Sequence, residues 1–282
     1  MDEIDLSEVF RLINPIIGTD EDDELEGTDA NDFMFGLAGN DVMNGGNEID
    51  FMFGAEGDDT LIGDLGNDDI SGGDGDDLII WNNGDGSDTN NGGDGNDTQQ
   101  VNGADGPGDE FEIVAGGNDV LFSRINLGPF TLNISEVENL EVNGQGGDDS
   151  FKVGDLEGTA LQNVTFNGGD GNDTFDASEA TRSVHASGGA GDDLMNGGAE
   201  VDTLNGDDGD DTIIGFLGDD FMDGGDGDDL IIWNNGDGSD TNNGGDGNDT
   251  QQVNGADGAG DQFEVGAGGS DVVFSRVNLG LF

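Results

Sequence analysis

A nine-residue period governs this chain, and few folds admit one. From Gly18 it runs without a slip for seven units, opening at Gly18, Gly27, Gly36, Gly45, Gly54, Gly63 and Gly72. The sixth position of each unit is aspartate, namely Asp23, Asp32, Asp41, Asp50, Asp59, Asp68 and Asp77, and the eighth is apolar, from Leu25 and Met34 to Ile79. A second run of five units opens at Gly188, Gly197, Gly206, Gly215 and Gly224, with Asp193, Asp202, Asp211, Asp220 and Asp229 in sixth place. Isolated units at Gly92, Gly144, Gly168 and Gly244 add Asp97, Asp149, Asp173 and Asp249. A unit such as Gly72–Ile80 divides into a six-residue turn and a three-residue strand. Glycine at its first, second and fourth positions predicts positive φ and close packing in the turn. The strand then points its eighth residue inward. Two units make one coil of 18 residues, so a unit stacks on the next but one, about 4.8 Å away.

A larger repeat of 152 residues encloses the small one, because residues 72–106 recur unchanged at 224–258 and carry Trp81 onto Trp233. Between the nonapeptide runs, residues 111–142 alternate apolar and polar side chains and are rich in β-branched and aromatic types, which predicts strand. No segment reads as helix. The expected organisation is an N-terminal strand segment at 1–17, a first repeat run at 18–80, a wider β segment with isolated nonapeptides at 81–187, a second run at 188–232, and the start of a second wide segment at 233–282.

Such a solenoid has to manage its charge. With 66 acidic and 5 basic side chains the formal charge is −61, so a cationic partner is required. Nucleic acid is excluded as that partner, since Arg11, Arg124, Lys152, Arg182 and Arg276 are scattered singly and form no phosphate-binding cluster. No apolar run approaches the ~20 residues of a bilayer span, so membrane insertion is not expected. With no cysteine there are no disulfides and no thiolate metal sites. Stacked sixth-position carboxylates and turn carbonyls instead form the hard, all-oxygen environment that calcium favours, whereas magnesium demands a smaller octahedron. Without the ion the carboxylates repel, and one Leu, Ile or Met per unit buries too little area to offset chain entropy. Folding is therefore expected to depend on calcium. Counting stacked neighbours within the two runs gives about eight ions or more, which would bring the formal charge from −61 to about −45.

The sixteen units resemble the repeats-in-toxin (RTX) family of hemolysin-type calcium-binding repeats, whose nonapeptide is G-G-x-G-x-D-x-U-x. The resemblance implies an all-β fold, a right-handed parallel β-roll or β-helix solenoid with calcium-filled turns. It also implies one-step type I secretion, with folding on reaching calcium outside the cell. The start MDEIDLSEVF is not a cleaved secretory signal, which suits that route. Departures occur at the fourth position, where Glu21, Ala30, Glu48 and Glu200 replace glycine, and at Gln99 and Gln251 in apolar positions. Sites near these residues are in doubt.

Other candidates are weaker. The stretch Trp81–Asn91 could hold calcium through Asp85 and Asp88, yet it fits no EF-hand loop and reads better as a solvated hairpin-like loop. His185 stands alone with no nucleophile elbow or triad, and no carboxylate pair is marked out for glycoside chemistry, so a catalytic role is not expected. Trp81 and Trp233 could stack on a sugar, but capping the roll interior is the preferred reading. The termini add a different clue. Ser7, Glu8, Val9 and Leu12 match Ser135, Glu136, Val137 and Leu140, while Phe282 corresponds to Phe130, so the N-terminus reads as a continuation of the C-terminus. The leading expectation is a secreted, calcium-binding structural protein at the cell surface or in a matrix, assembling head to tail with itself through its terminal β edges. The alternatives are a secretion and folding module of a larger enzyme or toxin, and a carbohydrate-binding or adhesive module.

Overall fold

The computed structural model describes residues 15–255, 263–268 and 271–276. Most of the N-terminal strand segment expected at 1–17, and the C-terminal residues beyond 276, lie outside the described residues. Among the described residues every regular element is a strand.

The first part of the solenoid contains β1 (Pro15–Ile17), β2 (Glu24–Thr28), β3 (Phe33–Ala38), β4 (Val42–Asn47), β5 (Phe51–Glu56), β6 (Thr60–Leu65), β7 (Asp69–Asp74), β8 (Leu78–Asn82), β9 (Thr89–Asp94) and β10 (Thr98–Asn102). The middle contains β11 (Glu110–Gly116), β12 (Asp119–Arg124), β13 (Phe130–Ser135), β14 (Asn139–Gly146), β15 (Ser150–Val153), β16 (Asn163–Asp170), β17 (Thr174–Asp176) and β18 (Val184–Ala190). The last part contains β19 (Leu194–Asn196), β20 (Thr203–Asp208), β21 (Thr212–Ile214), β22 (Phe221–Asp226), β23 (Leu230–Asn234), β24 (Thr241–Asp246) and β25 (Thr250–Asn254), followed by the antiparallel pair β26 (Phe263–Gly268) and β27 (Asp271–Arg276).

Strands alternate between a 14-stranded and an 11-stranded sheet, and pairing within each is parallel except at one place. The register is the one a nonapeptide pair demands: Met34 lies beside Met52, Met52 beside Ile70, Met43 beside Leu61 and Leu61 beside Ile79. Each partner stands in the next unit but one, so the eighth position of every unit falls on the inner face. Met34, Met43, Met52, Leu61, Ile70 and Ile79 are accordingly buried in a single file. Strands are longer than the sequence pattern predicts because pairing continues into the opening glycines of the next unit, as at Phe51–Glu56.

The exception is a meander. β11, β12 and β13 run antiparallel to one another and enter the longer sheet between β9 and β15, while β10 and β14 are direct neighbours in the shorter one. Residues 111–142 are thus strand, as expected, but their local antiparallel pairing is not contained in the period. This region opens the coil to hold large side chains, and Phe111, Phe122, Phe151, Phe166 and Phe175 are buried together.

Candidate metal columns

The turns stack along both edges of the solenoid, and so do their aspartates. On one edge the backbone amide of Asp23 donates to Asp41 Oδ1 at 2.8 Å, that of Asp41 to Asp59 Oδ1, that of Asp59 to Asp77 Oδ1 and that of Asp77 to Asp97 Oδ1, each also at 2.8 Å. The column stops where the Asp97 amide donates instead to Glu138 Oε2. On the opposite edge Asp32, Asp50, Asp68 and Asp88 are linked in the same way. Beyond the meander that edge resumes from Asp109 through Asp149, Asp173, Asp193, Asp211 and Asp229 to Asp249. The first edge resumes from Asp202 through Asp220 to Asp240.

One carboxylate oxygen therefore holds the next turn in register, which leaves the other. In twelve of the sixteen sixth-position aspartates, Oδ2 is buried and has no hydrogen-bond partner. A buried polar atom left unsatisfied costs on the order of 1–3 kcal/mol, and more for a charged group, so a recurrent one requires a partner. A first-position glycine packs closely against most of them. The first-position glycine has no Cβ, and a Cβ built on Gly36 would collide with Asp41 Oδ2 and with the carbonyl oxygen of Gly54 in the next turn. The same two donors meet at Gly54, from Asp59 and Gly72, and at Gly206, from Asp211 and Gly224. The first glycine is thus required for space rather than for positive φ, which is confined to the second and fourth positions: Gly73 and Gly75 adopt φ of 129° and 139°, and Leu37 accepts 87°. Among the described residues no three acidic side chains or histidines form a metal cluster, so any cation held here relies on carbonyls as well as carboxylates.

Electrostatics agree with the need for a cation. Burial pushes the Asp68 carboxyl up to about 8; the amide of Asp50 opposes the shift, and the Asp88 and Asp50 carboxylates add to it. Burial likewise raises Asp77, Asp149, Asp193 and Asp220 to about 7. Carboxyls so placed retain protons near neutrality unless a cation replaces them.

Three sixth-position aspartates differ. Asp23 Oδ2 accepts from the Thr19 amide at 2.5 Å, Asp32 Oδ2 from the Thr28 amide at 2.6 Å and Asp202 Oδ2 from the Gly198 amide at 2.5 Å. These are the units carrying Glu21, Ala30 and Glu200 in place of the fourth glycine. Glu48 has no such effect, since Asp50 keeps its unpartnered oxygen. Asp249 lies in the exposed final coil.

The structure also adds members that the nine-residue count passes over. Asp88 is 4% exposed and stands in column with Asp68, so the expected solvated loop is in fact an expanded repeat turn. Asp240, its equivalent in the second copy of the long repeat, has an unpartnered buried Oδ2. Asp109 occupies another sixth-position slot but meets a built-in cation, since Arg124 Nη1 lies 3.2 Å from Asp109 Oδ1. Arg124 also donates to Asn83 Oδ1 and the Gly128 carbonyl, and its guanidinium lies 5.6 Å from the Trp81 ring and 5.2 Å from that of Phe130. Trp81 is itself buried against Phe130, with ring centroids 3.8 Å apart, where the narrow interior meets the wide one. It offers no face to a sugar. His185 sits on the exposed face of β18.

A parallel solenoid edged by ordered columns of half-satisfied buried carboxylates is a metal-binding repeat fold. Comparison with protein families points to one metal: the model of the RTX calcium-binding nonapeptide repeat (4 copies) matches residues 17–52, 44–79, 161–179, 185–204 and 196–231. The chain carries RTX calcium-binding repeats in a β-solenoid, and these repeats imply calcium binding. No curated protein matches it.

Proposed function

We propose that this chain is a calcium-folded structural protein, secreted unfolded and set into a rigid solenoid by the calcium it meets outside the cell, where it assembles end to end. The observation carrying this reading is the column of buried, unpartnered Oδ2 atoms that converge with carbonyl oxygens of the stacked turn on first-position glycines too closely packed to accept a Cβ. The ligands are the sixth-position carboxylates with an open Oδ2, from Asp41 to Asp229, together with Asp240. Asp23, Asp32 and Asp202, whose Oδ2 is already satisfied by an amide, close their turns without an ion. The role is scaffolding rather than catalysis, because carboxylates committed to calcium and to turn amides are poor acids and bases.

Circular dichroism and isothermal calorimetry on the purified chain, titrated with calcium after chelation, test the reading. Calcium should restore β signal with a stoichiometry of about eight ions or more. Unchanged β signal and amide protection in excess chelator would overturn it. Export is tested separately by expressing the chain with and without a type I exporter and assaying the medium.

A further inference from the structure

The long repeat lets one coil be compared with its own counterpart. β3 and β5 correspond to β18 and β20: Phe33 lies beside Phe51 and Phe35 beside Phe53, as His185 lies beside Thr203 and Ser187 beside Asn205. The inner positions agree in character, since Met34 and Met52 are buried in one coil and Ala186 and Leu204 in the other. The outer positions do not agree. Four phenylalanines stand where the counterpart carries histidine, serine, threonine and asparagine, so the same coil is built without them and their presence needs another reason.

The rings form an ordered patch. Phe33 and Phe51 stack with centroids 4.6 Å apart, and Phe35 and Phe53 with centroids 5.3 Å apart. None of the four is buried; Phe53 is 38% exposed, and Ile17, beside Phe35 on β1, is 61% exposed. Stacking holds the rings in place while leaving their apolar area in contact with water, and a contiguous apolar patch of this kind marks a surface that another molecule covers.

Charge selects that molecule. From Leu12 to Ser123 the chain has no lysine, arginine or histidine. Asp69 is exposed beside Phe51, and Glu56 on β5 and Asp74 on β7 are exposed as well. None of these three is a sixth-position residue, so cations held in the edge columns leave their charges in place. A second copy of this chain would bring the same negative field to the patch, and an anionic lipid surface or a nucleic acid is repelled in the same way. A segment with apolar side chains flanked by lysine or arginine satisfies both features, its apolar residues covering the rings and its cations meeting the acidic rim.

We infer that the outer face of β3 and β5 is a docking surface for a basic amphipathic segment of another protein, with Phe33, Phe35, Phe51 and Phe53 as its apolar anchors and Asp69, Glu56 and Asp74 as its counter-charges. Such a surface goes beyond the scaffolding role proposed above, because it gives the side of the solenoid a partner of its own.

Fluorescence anisotropy of a labelled amphipathic leucine-lysine peptide, titrated with the full chain in millimolar calcium, tests it. A peptide of equal charge with serine in place of leucine reports charge attraction alone. The wild type should bind the leucine peptide on the order of tenfold more tightly than the serine peptide, and the excess should persist when added salt screens the charges. The combined change Phe33→His, Phe35→Ser, Phe51→Thr and Phe53→Asn uses only residue types that β18 and β20 already carry there. It should remove the excess with the calcium-induced β signal intact, and Phe53→Asn alone should reduce it severalfold. Equal affinity for the two peptides, or an excess unchanged in both variants, overturns the docking surface and leaves the calcium reading standing. A phenylalanine-dependent dimer in sedimentation velocity, or phenylalanine-dependent flotation with phosphatidylcholine vesicles without an excess for the leucine peptide, overturns it too, by giving the patch a different occupant. Loss of the calcium response itself overturns the proposed function instead.

Discussion

In the narrow coils between β2 and β8 the interior is a single file of Met34, Met43, Met52, Leu61, Ile70 and Ile79, whereas the wide segment packs Phe111, Phe122, Phe151, Phe166 and Phe175 into a continuous cluster with ring centroids 5.3 to 6.2 Å apart. Charge handling differs in parallel. The narrow turns leave Oδ2 of Asp41, Asp50, Asp59 and Asp68 buried without a partner, while the wide segment settles Asp109 with Arg124 and the Ala104 amide. The narrow coil, closed by only two nonapeptide units, has no room for an aromatic core, so its cohesion must come from the edges. The wide coil, which runs from Asn139 on β14 to its neighbour Asn163 on β16, has a larger interior, yet its Asp149 keeps a buried, open Oδ2 like those of the narrow turns. Among the described residues, only at Asp109 does the wide segment put an internal cation where the other turns leave a carboxylate oxygen open.

The largest effect expected from this contrast is on chelation. Hydrogen exchange read by mass spectrometry should show the amides of β2–β8 and β19–β23 losing protection by several orders of magnitude in excess chelator, while β11–β13, beside the Arg124–Asp109 pair, keep theirs. Uniform loss across the chain would break the comparison. Next in size is Arg124→Met. Leaving Asp109 buried without its cation should cost about 3–5 kcal/mol in the wide segment, seen as a lower denaturant midpoint with or without calcium. A loss that appears only in calcium would show that Arg124 does not replace the ion.

Smaller effects separate one aspartate from another. Asp59→Asn retains an acceptor for the Asp41 amide but removes the charge of the open oxygen, so calorimetry should show one or two fewer ions bound. Asp32→Asn should leave the stoichiometry unchanged, because its Oδ2 accepts from the Thr28 amide. The smallest expected effect is that of pH. Asp68 and Asp77 rise from 3.8 to about 8 and about 7 in the folded, ion-free turns, chiefly through burial. A carboxyl raised on folding contributes stability that is complete below its unfolded value and is lost as pH rises through its folded value. In chelator, the β signal of the rolls should therefore grow as pH falls from about 8 toward about 4, while calcium affinity weakens over the same window as protons compete. Rolls that order better at pH 8 than at pH 5 without calcium would contradict this.

Much of the coil was legible because its cause is local. A nine-residue period with one aspartate and one apolar position leaves a single way to put Met34, Met52 and Ile70 on one inner line, and the register of two units per coil follows. The meander was only half legible. Alternation in residues 111–142 marks strands, but parallel or antiparallel pairing depends on which neighbour each strand finds, and turns as short as Gly116–Asp119 and Arg124–Phe130 bring β11, β12 and β13 back on themselves. Asp88 escapes the nine-residue count because its spacing to Asp68 is longer than two units. The signal that could have found it is the unit-like run Gly86–Asn91, which restores the sixth and eighth positions after a short insertion.

The sequence by itself determined the coil length, the inward file of apolar side chains, the two edge columns of aspartate and the demand for a hard cation, because a strict period specifies neighbours without reference to the rest of the chain. The tertiary structure alone decided which carboxylate oxygens stay open. Thr19, Thr28 and Gly198 turn their amides onto Asp23, Asp32 and Asp202, and Arg124 reaches Asp109 across the β11–β12 hairpin. Those contacts depend on backbone direction and on chain closure in three dimensions, which a one-dimensional period does not encode.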